Sequence, residues 1–97
     1  MKSLDEIKHV LSNHKGELRR KHRVKRIGIF GSYVHGTQKR GSDIDVVAEF
    51  EEPVSLMDLV GAELYLKKIL GTKVDLIPKK DIRPELKKRI AKDTVYI

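Results

Sequence analysis

Two aspartates one residue apart, Asp43 and Asp45, stand at the start of an apolar run that is typical of a β-strand. Residues two positions apart on a strand project from the same face, so both carboxylates would lie on one side of a sheet. The opposite face would be filled by Ile44, Val46, Ala48 and Phe50. The two acids therefore lie outside the apolar core, and they form a pair that can bind a ligand or take part in catalysis.

A third aspartate, Asp75, lies within the apolar segment KVDLIP, which predicts another strand. If the two strands are neighbours, the three carboxylates converge. Like charges about 4 Å apart repel by roughly 4 kcal/mol at an effective dielectric near 20, so a bound cation or a proton must relieve them. Carboxylate oxygens suit hard divalent cations, Mg²⁺ above all. For any one acid taken alone, a strand end or a solvated edge remains an alternative interpretation.

A Gly-Ser pair, Gly31 and Ser32, ends the preceding apolar run, and ten residues separate it from the first acid. The glycine lets a phosphate approach the backbone closely, and the serine offers a hydroxyl at the start of a helical turn predicted over residues 32–36. A phosphate cradle joined to metal-binding acids makes up the two halves of a nucleoside-triphosphate site. The chain contains neither GxxxxGK[ST] nor GxGxxG, which argues against a P-loop NTPase and a dinucleotide-binding domain.

Two longer helices are predicted around these segments. The first covers about residues 3–20, where apolar residues recur at spacings of three and four and Ser3 with Glu6 has the pattern of a capping box. The second begins after Ser55 and ends at Gly71. Its inward stripe is expected to consist of Leu56, Leu59, Val60, Leu64 and Leu70.

The remaining segments predict short strands and one more helix. The strands are expected over residues 24–30, 43–50 and 73–78. Asp81 or Arg83 is expected to open the last helix, with Pro84 in its first turn and with Leu86 and Ile90 turned inward. The closing TVYI is either a short terminal strand or an extended tail. Strands with helices between them indicate a small α/β or α+β sandwich.

The composition narrows the classes of protein that are possible. The chain has 97 residues, of which 36% are charged and 39% apolar, so we expect one globular domain over residues 1–97. It contains no cysteine, which excludes disulfides and Cys-ligated zinc and fits a reducing cytoplasm. No apolar run is long enough to span a membrane, and we expect a cytoplasmic protein without a membrane partner. The net charge of +7 suits polyanionic partners such as nucleotides or RNA.

The segment GSYVHGTQKRGSDID resembles the G-S-x10-D-x-D signature of the DNA polymerase beta-like nucleotidyltransferases. With the acid in KVDLI and the ending RPELKKRIAKDTVYI, residues 24–97 are similar to the minimal nucleotidyltransferases of that superfamily. The resemblance implies an α+β fold in which a small mixed sheet is flanked by helices. It also implies transfer of a nucleoside monophosphate, usually AMP from ATP, with release of pyrophosphate.

The resemblance further implies roles for individual residues. Gly31 and Ser32 would hold the triphosphate. Asp43 and Asp45 would bind two Mg²⁺ ions, and Asp75 would complete the catalytic and metal-binding set and help to activate the attacking hydroxyl. Lys39, Arg40 and Ser42 of the following loop are assigned to nucleotide binding. Minimal members commonly act as antitoxins that adenylylate a tyrosine of an all-helical HEPN toxin.

One departure from the family pattern leaves the function open. Where members often read G-S-x-A-R-G, this chain reads GSYVHG, so His35 stands in place of an arginine that could hold a phosphate at any pH. Lys39 and Arg40 could compensate, and His35 could equally be an ordinary surface residue. Two alternative functions therefore stay open. One is an antitoxin that neutralises its toxin by binding alone, and the other is a nucleotidyltransferase that acts on RNA through the basic segments RRKHR and KKRIAK.

Overall fold

A computed structural model describes residues 2–97 as a four-stranded sheet with helices on both faces. The helices are α1 (Leu4–His22), α2 (Ser32–His35), α3 (Leu56–Leu70) and α4 (Pro84–Asp93), with a 3₁₀ turn at Lys79–Asp81. The strands are β1 (Val24–Phe30), β2 (Ile44–Phe50), β3 (Val74–Pro78) and β4 (Val95–Tyr96). This matches the predicted order of elements, although α1 ends two residues later than expected and Asp43 lies just ahead of its strand.

The sheet has the order β3-β2-β1-β4 and is mixed. Strand β1 pairs antiparallel with both β2 and β4, whereas β2 and β3 are parallel. Parallel neighbours need a crossover connection, and α3 supplies it. The closing TVYI therefore forms an edge strand beside β1 rather than a free tail.

Helices α1 and α3 cover one face of the sheet and form the main core with it. The predicted core face of β2 is confirmed for Ile44, Val46 and Ala48, which are buried here, whereas Phe50 is half-buried and Val47, on the opposite face, is also buried. The predicted capping box of Ser3 with Glu6 is present, and Ser55 forms a second one with Asp58 at the start of α3. The buried helical residues that meet the strands are Ile7, Leu11, Leu18, Ala62, Leu66 and Leu70.

The predicted inward stripe of α3 is wrong for most of its members. Leu56, Val60 and Leu64 are exposed, and Leu66 is fully buried in their place. Helix α3 is apolar on several sides, so the spacing of its leucines does not by itself select the face that packs. The docking of α1 and β3 decides the face instead, and an apolar strip that also includes Met57 remains on the surface.

Two leucines of α3 should therefore respond very differently to truncation. We expect Leu66→Ala to lower the free energy of unfolding by about 3 kcal/mol, because it opens a cavity at a side chain with 0% exposure. Leu64→Ala should change it by no more than about 0.5 kcal/mol, because Leu64 is 59% exposed. Urea denaturation of both variants measures the difference. A larger loss for Leu64→Ala than for Leu66→Ala would mean that α3 packs with the face predicted by the leucine spacing.

Helix α4 lies on the other face of the sheet and packs far less closely than α1 and α3. None of its residues is buried, and Leu86, which was expected to point inward, is 38% exposed. Ile90 is only half-buried. The chain is fixed after this helix by the β4 ladder and by the Ile97 amide, which donates to the Ile27 carbonyl at 3.0 Å. No helix within residues 2–97 is long and apolar enough to cross a membrane.

Candidate active site

The parallel register of β2 and β3 brings two of the predicted acids together. Asp45 is the register partner of Asp75, and neighbouring strands lie about 4.8 Å apart. Asp43 projects from the same face just before β2 begins, as the period of two requires. The condition under which the acids could converge, that these two strands are neighbours, is met. All three acids lie on the face opposite α1 and α3, so they are not part of the main core.

Asp45 is the least solvated of the three. It is half-buried, whereas Asp43 and Asp75 are exposed. Burial raises the pKa of the Asp45 carboxyl, and the nearby carboxylates of Asp75 and Asp43 raise it further. The folded chain therefore holds a carboxylate whose charge is unfavourable until a proton or a cation is bound.

The donor set fits Mg²⁺ with an open coordination sphere. Across residues 2–97, no three His, Cys, Asp or Glu side chains are grouped so that they could hold a metal ion, so any cation here would depend on fewer protein ligands. Mg²⁺ is usually bound by one or two carboxylates, with water and substrate phosphates completing its octahedron. Asp45 beside Asp75, with Asp43 at the edge, offers oxygen ligands of this kind and would leave coordination positions for a triphosphate.

Gly31 joins the Gly-Ser turn to the acids by direct contact. Its φ of 79° lies in the region that favours glycine, and a Cβ built on it would overlap the Asp45 carboxylate. Ser32 follows as the first residue of α2. The last residue of β1, Phe30, is the register partner of Asp45 on the side away from Asp75. The predicted phosphate cradle and the predicted metal ligands therefore form one continuous surface.

The three residues of the loop between α2 and β2 that were predicted to bind nucleotide have different surroundings. The Ser42 hydroxyl accepts a hydrogen bond from the Lys39 amide at 2.8 Å, so it braces the loop. The Lys39 side chain is exposed. Arg40 lines a hollow of about 440 Å³ near Tyr33 and Gly71, and none of the three acids lines it. The structure does not gather these loop residues around the acids.

His35 has a contact that the sequence did not indicate. Its Nε2 lies 3.3 Å from Oδ2 of Asp93, at the end of α4. The two residues are 58 positions apart, and no motif connects them. His35 therefore links the Gly-Ser turn to the last helix. One nitrogen of its ring already has a carboxylate partner.

Comparisons with known proteins identify the family to which this chain is similar. The sequence model described as "Nucleotidyltransferase domain" matches residues 11–97. The chain is 50% identical over 98 residues to a Methanocaldococcus jannaschii protein named "Putative protein adenylyltransferase MJ1217", and the match covers 100% of both. It is 41% identical over 97 residues to protein adenylyltransferase MntA of Thermococcus cleftensis, covering 100% of this chain and 98% of that protein.

A solved toxin–antitoxin structure with AMP-PNP has the same fold. Its TM-score is 0.70 at 26% identity, and the match covers 87% of this chain and 69% of that chain. The predicted fold class, a mixed sheet flanked by helices, is thus confirmed. With the family match over residues 11–97, the conclusion is plain: the chain belongs to the nucleotidyltransferase family, among its minimal members.

Proposed function

We propose that this chain is a Mg²⁺-dependent protein adenylyltransferase that transfers AMP from ATP to a tyrosine hydroxyl of an all-helical HEPN toxin and thereby acts as its antitoxin. The observation that carries the proposal is the contact of Gly31 with Asp45, which in turn is the register partner of Asp75. Support for the acceptor comes from the similarity to MntA and to the toxin–antitoxin structure with AMP-PNP.

Each side chain would have a distinct part in the transfer. Gly31 and Ser32 would receive the β- and γ-phosphates, which places the leaving pyrophosphate on the β1 side of Asp45. Two Mg²⁺ ions held by Asp43, Asp45 and Asp75 would neutralise the charge that develops on the phosphate oxygens. The tyrosine oxygen would form its bond to the α-phosphorus while the bond to pyrophosphate breaks. Asp75 would accept the hydroxyl proton.

The direct test is transfer to an all-helical HEPN toxin that this protein neutralises. Incubation with ATP labelled at the α-phosphate and with Mg²⁺ should label the toxin, and peptide mapping should place the label on a tyrosine. EDTA should abolish the labelling, because without Mg²⁺ the three carboxylates would repel the negatively charged triphosphate. A toxin that stays unlabelled while the MntA relative labels its own toxin would contradict the proposal.

An antitoxin that acts by binding alone is a second candidate, because His35 is engaged with Asp93 at the position where the family often has an arginine. Exposed Leu56, Met57 and Leu64 of α3 would be available to such a contact. An RNA acceptor stays a prediction, since only the basic side chains of RRKHR and KKRIAK favour it. Loss of RNA binding as salt is raised would be its signature.

A further inference from the structure

The apolar strip of α3 consists of Leu56, Met57, Val60 and Leu64. Leu56 and Met57 are 75% and 83% exposed, and Val60 and Leu64 are exposed as well. Side chains four positions apart on a helix are neighbours, so Leu56, Val60 and Leu64 form one continuous ridge with Met57 beside it. Soluble proteins rarely leave an apolar patch of this size on one helix face unless another molecule covers it. The strip therefore indicates an interaction surface.

Helix α3 packs on the sheet through a different set of side chains. Ala62, Leu66 and Leu70 are fully buried and hold the helix against the strands. The strip projects away from the sheet, and the three acids lie on the opposite face of that sheet. A molecule that covers the strip would therefore leave the candidate active site open.

The spacing of the strip makes it self-complementary. Leu56 and Leu64 both lie four residues from Val60, one on each side. A two-fold axis at Val60 would set two copies of α3 antiparallel, with Leu56 of each copy against Leu64 of the other, as an isologous contact requires. Ridges of residues four apart that pack into each other's grooves are also the commonest way for two helices to cross.

The charge around α3 favours a second copy of this chain as the occupant. Four acids and two lysines lie between residues 51 and 68, a local charge of −2, whereas the whole chain carries +7. Three of these acids lie where α3 begins, and both lysines lie where it ends. An antiparallel pair therefore brings the acidic end of one helix to the basic end of the other. The basic α4 surface would instead repel a second copy.

The acids at the start of α3 keep this capacity despite their contacts within the chain. Glu52 lies 3.0 Å from Lys80, and Glu51 lies 3.8 Å from Arg19. Both pairs are exposed to solvent, and exposed ion pairs contribute little to stability. Their carboxylates can therefore also accept the lysines of a second copy.

We propose that this chain forms a symmetric homodimer through the apolar strip of α3, with Val60 on the two-fold axis. At ordinary side-chain areas the strip exposes roughly 500 Å² in each copy, so the dimer buries about 1,000 Å², the lower limit of a specific interface. A contact of this size is weak, and we expect a Kd on the order of 10–100 µM. The two acid faces lie on the outer sides of the dimer, so the inference goes beyond the proposed function and does not depend on it.

A charge placed on the two-fold axis tests the contact. Val60→Glu sets two carboxylates against each other in the dimer, whereas the monomer accommodates the charge because Val60 is 49% exposed. Leu86→Glu is the matched control, because it makes the same kind of exchange at an exposed position of α4. Sedimentation equilibrium over a range of protein concentrations measures association. Circular-dichroism melts at about 1 µM, well below the expected Kd, verify that the variants are folded.

We expect the wild type to pass from monomer to dimer as its concentration rises through about 10–100 µM. Val60→Glu should weaken association at least about tenfold, and Leu86→Glu should associate as the wild type does. Val60→Lys alone should also stay monomeric, but an equimolar mixture with Val60→Glu should dimerise, because opposite charges then meet on the axis. The urea comparison of Leu64→Ala with Leu66→Ala belongs at about 1 µM, where the chain is monomeric.

Three results would overturn the homodimer. The first is a wild type that stays monomeric at several hundred micromolar, and the second is a Val60→Glu variant that associates as the wild type does. The third is a monomeric wild type whose binding to a HEPN toxin is lost in Val60→Glu, which would assign the strip to the toxin. Failure of AMP transfer would contradict the proposed function alone, since association is measured without nucleotide or toxin.

Discussion

Replacing Asp43 and Asp45 together by asparagine is expected to lower AMP transfer by a factor on the order of a thousand or more. The exchange keeps the size of both side chains and removes the two charges that would hold the cations against the triphosphate. The fold should survive, because the neutral amides relieve the repulsion that Asp45 meets from its neighbours. Transfer rates with labelled ATP and a thermal melt without Mg²⁺ measure the two effects.

The matched control removes two negative charges from helix surfaces. Asp5 and Glu63 lie on α1 and α3, away from the acid face, so Asp5→Asn combined with Glu63→Gln has the same change in net charge. This control should transfer AMP within about twofold of the wild type, since surface substitutions have small effects. If the Asp43/Asp45 variant still neutralised the toxin fully in cells, catalysis would be dispensable and antitoxin action by binding would be the better account.

Gly31→Ala is expected to have the second-largest effect, on both stability and activity. A φ of 79° is unfavourable for alanine, and its Cβ would overlap the Asp45 carboxylate. We expect a loss of about 2–3 kcal/mol in the free energy of unfolding. AMP transfer should fall about a hundredfold or more, because the displaced carboxylate can no longer hold its position against the phosphates. Chemical denaturation and transfer assays report the two quantities.

Gly36→Ala separates the two causes. Gly36 ends α2 with a φ of 70°, and a Cβ there meets no atom within 4 Å. It therefore has a similar backbone penalty without any contact to Asp45. We expect Gly36→Ala to lose about 1–2 kcal/mol of stability and to retain most of its transfer activity. Similar losses of activity in both variants would show that the conformation of α2 matters and that the approach of Gly31 to Asp45 does not.

The parts of this protein that could be predicted from sequence are those set by local chemistry. The capping boxes at Ser3 and Ser55 define where α1 and α3 begin, and both are present. The two-residue period of β2 separates Asp45 from Ile44 and Val46 without reference to any other element. The pairing of β2 with β3 was only a condition for the acids to converge, and the register of the two strands meets that condition.

The parts that escaped prediction depend on how distant elements dock. The buried face of α3 differs from the leucine stripe because helix periodicity cannot choose between two apolar sides. The contact of His35 with Asp93 requires α4 to cross the acid face, and no local pattern in its sequence specifies that crossing. The roles of Asp43, Asp75 and the loop residues around Arg40 remain predictions.

The parallel pairing of Asp45 with Asp75 sets how this chain can tolerate changes in length. Inserting one residue within β2 would reverse the side chains beyond it, turning later acid-face residues toward the helices and core residues toward solvent. An insertion in the exposed loop before Ser42 would leave the strand pairing untouched. A one-residue insertion should therefore lower the free energy of unfolding far less in this loop than within either strand.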